Sequence, residues 1–112
     1  MIFWHNPRCS KSRQALALLQ DRGAQIEIRK YLDDSPSATD LRALQTKLGV
    51  KAIDMMRSKE KAFRDMGLSR DTDDATLLEA MAKDPRLIER PVLITATRAV
   101  IGRPPERVLE LL

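Results

Sequence analysis

Cys9 is the only cysteine of the chain, and its neighbours are the ones a reactive thiol needs. It lies in Asn6-Pro7-Arg8-Cys9-Ser10-Lys11-Ser12-Arg13. That segment falls between an apolar run suited to a strand, Ile2 to His5, and a stretch of helical spacing that starts near Ser10. A thiol at such a step points toward the unpaired N–H groups of a helix start, where the helix dipole also favours an anion. Free cysteine titrates near ~8.5, and a helix N-terminus with adjacent cations lowers this to roughly 3.5–7.5. Arg8, Lys11 and Arg13 are such cations, and His5 adds a donor. Donors that hold a thiolate also hold a tetrahedral oxyanion beside it. The chemistry expected is therefore an anion next to a sulfur nucleophile. A buried, inert cysteine is the bland alternative, but its mark is an apolar neighbourhood, and this one is polar and turn-forming. The residues alone leave the reaction open: Cys-X-X-Ser after a strand fits a monothiol oxidoreductase, a phosphatase-like anion site or a redox sensor.

One cysteine excludes an internal disulfide and any multi-cysteine zinc site, so no metal is expected. It also excludes a redox cycle in which two cysteines of the chain pair; a second thiol has to come from outside. The length of 112 residues, 43% hydrophobic and 32% charged, fits one globular domain over residues 1–112 rather than a disordered chain. Only 4% is aromatic, so the core must be mostly Leu, Ile, Val, Ala and Met. The net charge is +4, with 13 Arg against 7 Lys, and the planar arginine fork suits oxyanions. Acids are interspersed among these cations, which argues against a nucleic-acid tail. No apolar stretch approaches the roughly 20 residues of a membrane span. The first residues run straight into a strand, with no charged n-region or cleavage site, so a cytoplasmic, reducing location is expected.

The elements that must position Cys9 follow from periodicity. Ile2 to His5 reads as a strand stopped by Asn6-Pro7, and Ser10 to Arg22 as a helix ended by Gly23. Ile26 and Ile28 alternate with Glu27 and Arg29, which predicts a second strand through Tyr31. Ser37 and Asp40 resemble a capping box for a helix with Leu41, Leu44 and Leu48 along one face, ended by Gly49. Short helices are expected around Ile53 and Met56, and over Ala62, Phe63 and Met66. Thr72 or Asp73 caps a further one, with Leu77, Leu78 and Met81 inward and Asp84-Pro85 as its end. Val92 to Thr95 and Ala99 to Ile101 read as an antiparallel hairpin, followed by a helix from Glu106 to Leu112. The first βαβ unit should be parallel and right-handed. This order predicts an α/β, thioredoxin-like domain, a mixed four-stranded sheet with a helical insertion after the first βαβ unit.

His5 through Arg13 resembles the signature of the glutaredoxin-coupled arsenate reductase family, and the similarity runs the length of the chain. Arg57 in Met55-Met56-Arg57, Arg90 before Pro91, and Arg103 before Pro104 stand where that family has arginines. The resemblance implies that Cys9 thiolate attacks the arsenic of arsenate and displaces an oxygen. Arg57, Arg90 and Arg103 would neutralise the oxyanion. Glutathione, a co-substrate rather than a bound cofactor, would attack the Cys9–arsenic adduct, and glutaredoxin would complete reduction to arsenite. Pro91 would be the cis-proline of the fold, packing its loop against Cys9. His5 would help lower the Cys9 pKa, and Ser12 would hydrogen-bond the sulfur. The chain carries Ser10-Lys11 where the family's best-studied members carry Gly-Thr, so a lysine adds charge and bulk at the pocket mouth. The rival function is a monothiol redox sensor, or a glutathione-linked thiol reductase of the same fold without arsenate activity. Transcription regulators on this fold usually carry a Cys-X-X-Cys switch, which serine at position 12 excludes here. DNA binding would be marked by a steep loss of affinity with salt.

Overall fold

The computed structural model describes residues 1–112. The chain forms two compact units, residues 1–34 together with 90–112, and residues 35–89. The first unit holds the sheet: β1 (Ile2–Trp4), β2 (Glu27–Arg29), β3 (Val92–Ile94) and β4 (Ala99–Ile101), in the order β2-β1-β3-β4. β1 and β2 are parallel, with Phe3 beside Ile28; β3 is antiparallel to both β1 and β4. The sheet is therefore mixed, as the sequence predicts, and with its helices it is the thioredoxin-like α/β arrangement.

α1 (Ser10–Asp21) joins β1 to β2. Ala15 and Leu19, on one face at helical spacing, are buried with Phe3, Leu93, Val100 and Val108 in a single apolar cluster. Each side chain of leucine or valine size buried there contributes roughly 1.5–3 kcal/mol. After Arg22 the chain turns through Gly23 at φ 68°, the left-handed conformation that glycine adopts without a Cβ clash. The C-terminal segment Pro105–Leu111, expected to be an α-helix, is a 3-10 helix that packs on α1. Its N-cap is Pro104, which gives no side-chain cap hydrogen bond, and only Pro105 and Val108 of the segment are buried. β2 is shorter than expected and lies at the sheet edge, which leaves Ile28 44% exposed despite its alternation with charged neighbours.

In the second unit, α2 (Ala38–Leu48) starts with the complete Ser37–Asp40 capping box and ends at Gly49. α3 (Lys61–Asp65) buries Phe63 and leaves Met66 39% exposed. α4 (Asp74–Lys83) is capped by Asp73, whose carboxylate accepts from the Thr76 N–H, and buries Leu77, Leu78 and Met81. The segment around Ile53 is a single 3-10 turn, Ala52–Met55, that buries Ala52 and Met55 rather than Ile53.

Gly102 is closely packed. A Cβ added there would lie 2.9 Å from the Pro91 ring and 2.9 Å from Val108 Cγ1. Its own N–H donates to Pro91 O at 2.8 Å. Neither a proline ring nor a valine methyl retreats easily. Gly102→Ala is therefore expected to lower stability by about 1–3 kcal/mol, read as a lower urea midpoint at unchanged slope. An unchanged midpoint would show that ring and methyl yield at no cost.

Candidate active site

The loop from His5 to Cys9 is built by hydrogen bonds its own sequence provides. Asn6 O accepts from the Cys9 N–H at 3.0 Å, and Asn6 Oδ1 accepts from the Arg8 N–H at 3.0 Å. Arg13 Nη1 reaches back to Pro7 O at 2.9 Å. Proline at position 7 fixes φ between these contacts. The result places Cys9 as the N-cap of α1 with an extended backbone (φ −94°, ψ 122°). Its sulfur thus faces the first turn, whose N–H groups lack intrahelical acceptors.

Burial disfavours the thiolate and raises the Cys9 pKa. Against it stand the Ser12 N–H, the Arg90 side chain, both as hydrogen-bond donor and as charge, and the Lys11 N–H. These prevail, and Cys9 titrates below the ordinary value of a thiol. Arg103 Nη2 lies 3.9 Å from Cys9 Sγ, while its Nε donates to Arg90 O at 2.7 Å. One guanidinium thereby touches the sulfur and fixes the backbone carrying the other. Cys9 is 8% exposed, but what encloses its sulfur includes guanidinium and backbone N–H rather than hydrocarbon alone.

His5 and Ser12 are both buried, and His5 Nδ1 lies 2.6 Å from Ser12 Oγ. Ser12 Oγ also accepts from the Asn6 N–H at 3.1 Å. The His5 pKa is lowered by burial first, then by the charges of Lys30 and Arg13, which favours the neutral imidazole. Ser12 therefore reaches the sulfur with its backbone N–H, while its hydroxyl joins the histidine to the loop. His5 thus meets the Cys9 loop through the Ser12 hydroxyl.

Pro91 follows a cis Arg90–Pro91 bond, in the segment leading into β3. A second cis bond, Arg103–Pro104, follows the other site arginine. Arg57 belongs to the unit of residues 35–89. There its N–H donates to Leu87 O at 2.8 Å and its Nη1 pairs with Glu60 Oε2 at 3.1 Å. The structure thus brings Cys9, Ser12, Arg90 and Arg103 together, with His5 one hydrogen bond behind Ser12.

From the sequence, Asn6 reads only as a strand stop, whereas its carbonyl and side chain shape the loop that presents Cys9. Asn-Pro before a helix start, with asparagine able to bond the N–H two residues on, is the signal for this role. Gly102 reads as a breaker of the hairpin; its closeness to Pro91 is a tertiary fact with no local trace.

The arrangement suits attack by a sulfur anion on an oxyanion whose negative charge two guanidiniums and a helix start can share. The model of the ArsC family matches residues 4–111 of the chain. An arsenate reductase of Haemophilus influenzae is 43% identical over 100% of this chain and 98% of its own length. An uncharacterised Escherichia coli protein, YfgD, is 42% identical over 96% of this chain and 92% of its own. The solved structure of an arsenate reductase from Vibrio cholerae superposes with a TM-score of 0.95 at 44% identity, covering 99% of this chain and 96% of that one.

Proposed function

The chain belongs to the ArsC family, and from that premise we propose that it reduces arsenate to arsenite through Cys9, with glutathione and glutaredoxin as the source of electrons. The single observation that carries this reading is the Cys9 sulfur at a helix start with Arg103 Nη2 at 3.9 Å and Arg90 as a further donor.

Arsenate enters as an anion, held by Arg90 and Arg103 beside the first-turn N–H groups of α1. The Cys9 thiolate forms an S–As bond, and one arsenate oxygen leaves as water after taking a proton. Glutathione sulfur then bonds arsenic and a second oxygen leaves as water. Glutaredoxin thiolate attacks the glutathione sulfur; an S–S bond forms, and the electron pair of the broken S–As bond stays on arsenic. Arsenic passes from As(V) to As(III), and two thiols have become one mixed disulfide. Water finally cleaves the Cys9–arsenic bond, releasing arsenite and restoring the thiol. The outside thiols are required because the chain has no second cysteine to resolve the adduct. A soluble compartment that maintains reduced glutathione, the cytoplasm, suits this cycle.

The test is a coupled assay of the full chain with arsenate, glutathione, glutaredoxin and an NADPH-linked glutathione reductase. Turnover that requires arsenate, glutathione and glutaredoxin together supports the reading. Absence of turnover with arsenate, together with stable glutathionylation of Cys9, would replace it by the monothiol redox sensor.

A further inference from the structure

β2 ends the sheet, and its outer edge carries a pattern that the chemistry at Cys9 does not use. The Glu27 N–H donates to Met1 O and Arg29 O accepts from the His5 N–H, each at 2.9 Å. Residues 27 and 29 therefore turn their backbone groups toward β1. By the alternation of a parallel pair, Ile28 turns its N–H and C=O outward. Its side chain is 44% exposed, and with Ile2, 38% exposed, it lines a groove of ≈ 690 Å³ along this edge. Natural edge strands are kept from pairing by being very short, by charged side chains, especially lysine, by proline or by a bulge. β2 is three residues long, and Lys30, Asp33 and Asp34 line the same groove. But the charges that flank Ile28 have opposite signs, Glu27 before and Arg29 after, so a reversed copy meets attraction there rather than repulsion. Arg29 is moreover held in place, its guanidinium 5.6 Å from the Trp4 ring centre and its Nε 3.3 Å from Asp34 Oδ2.

We propose that two copies of this chain associate through their β2 edges, antiparallel and centred on Ile28, to make one continuous eight-stranded sheet from two four-stranded ones. In that register Ile28 faces Ile28 of the second copy. Each donates its N–H to the other's carbonyl, the closely bonded pair of an antiparallel ladder. Glu27 then faces Arg29 of the second copy, and Arg29 faces Glu27, so both cross-strand charge pairs attract. Centring the pairing on Glu27 or on Arg29 instead would oppose two like charges. The charge order thus selects one register, and only a partner with the same order in reverse direction satisfies it. A second copy of the chain has that order by symmetry.

Sedimentation of the full chain over a range of concentrations tests this. The wild type should form dimers as concentration rises. Glu27→Arg alone and Arg29→Glu alone should each raise the dimer dissociation constant by about tenfold, because two attractive pairs become repulsive. An equimolar mixture of the two variants should dimerise again. One variant then presents arginine at both flanking positions and the other presents glutamate at both, so every cross-strand pair between them attracts. Glu27→Arg changes an exposed side chain and leaves the Arg29 contacts intact, so its effect reads association rather than folding. A wild type that stays monomeric to about 1 mM, or a dimer indifferent to Glu27→Arg, would overturn the proposal. So would a mixture no more dimeric than its components.

Discussion

Cys9→Ser is expected to remove arsenate reduction down to the solution background, a loss of roughly 10⁴-fold or more in turnover. The magnitude follows from the role: an alcohol at the same place is not ionised near neutral pH and forms no S–As bond, so the adduct that divides the reaction into easier steps never forms. The sulfur is small and sits at an N-cap position, where serine is itself a preferred residue. Folding stability should therefore change by less than about 1 kcal/mol, which separates lost chemistry from lost structure. Residual turnover above the background in this variant would mean that another group, or glutaredoxin acting directly, attacks arsenic.

Arg103→Ala is expected to lower kcat/KM for arsenate by about 10²–10³-fold, the usual cost of removing one preorganised donor from a developing negative charge. The side chain has two tasks that alanine ends together. Nη2 faces the sulfur, and Nε bonds the Arg90 carbonyl. Losing the first weakens the thiolate and the bound oxyanion; losing the second loosens the segment that carries Arg90 and Pro91. Arg103→Lys separates them. It keeps a positive charge but not the planar fork, so it should recover part of the thiolate stabilisation and little of the geometry. If arsenate kinetics are the same in wild type, Arg103→Lys and Arg103→Ala, Arg103 does not bind the oxyanion.

Cys9 between β1 and α1 is legible in the sequence because its position depends on short-range signals: an apolar strand, Asn-Pro, and helical spacing that begins at the next residue. The same holds for the Ser37–Asp40 box and for the β3–β4 hairpin, whose partners are near in sequence. What escapes is what distant segments decide. Residues 99–111 bring Arg103 to Cys9, 94 positions away, and press Gly102 on Pro91. Nothing in Gly102-Arg103-Pro104 announces either contact; only the resemblance to a family places Arg103 at the site. The 3-10 form of Pro105–Leu111 escapes because an apolar, leucine-rich ending reads as α-helix, and a proline start is as compatible with one helix type as with the other. Ile28 reads correctly as strand, but alternation does not tell an edge strand from an inner one, so its exposure has no sequence signal. The partnership of His5 with Ser12 likewise needs coordinates, since a histidine at a strand end has many acceptors in reach.

This fold keeps a lone sulfur ionised beside guanidinium groups that suit an oxyanion. That ionisation is tested most directly by titrating the ultraviolet thiolate absorbance of the full chain, with Cys9→Ser subtracted to remove the contribution of Tyr31. Because the chain has one cysteine, the signal belongs to Cys9 alone. The midpoint should lie below that of a free thiol, and it should rise in Arg90→Ala and in Arg103→Ala as the donors to the sulfur are removed. A midpoint at or above the free-thiol value, unmoved by either substitution, would contradict it.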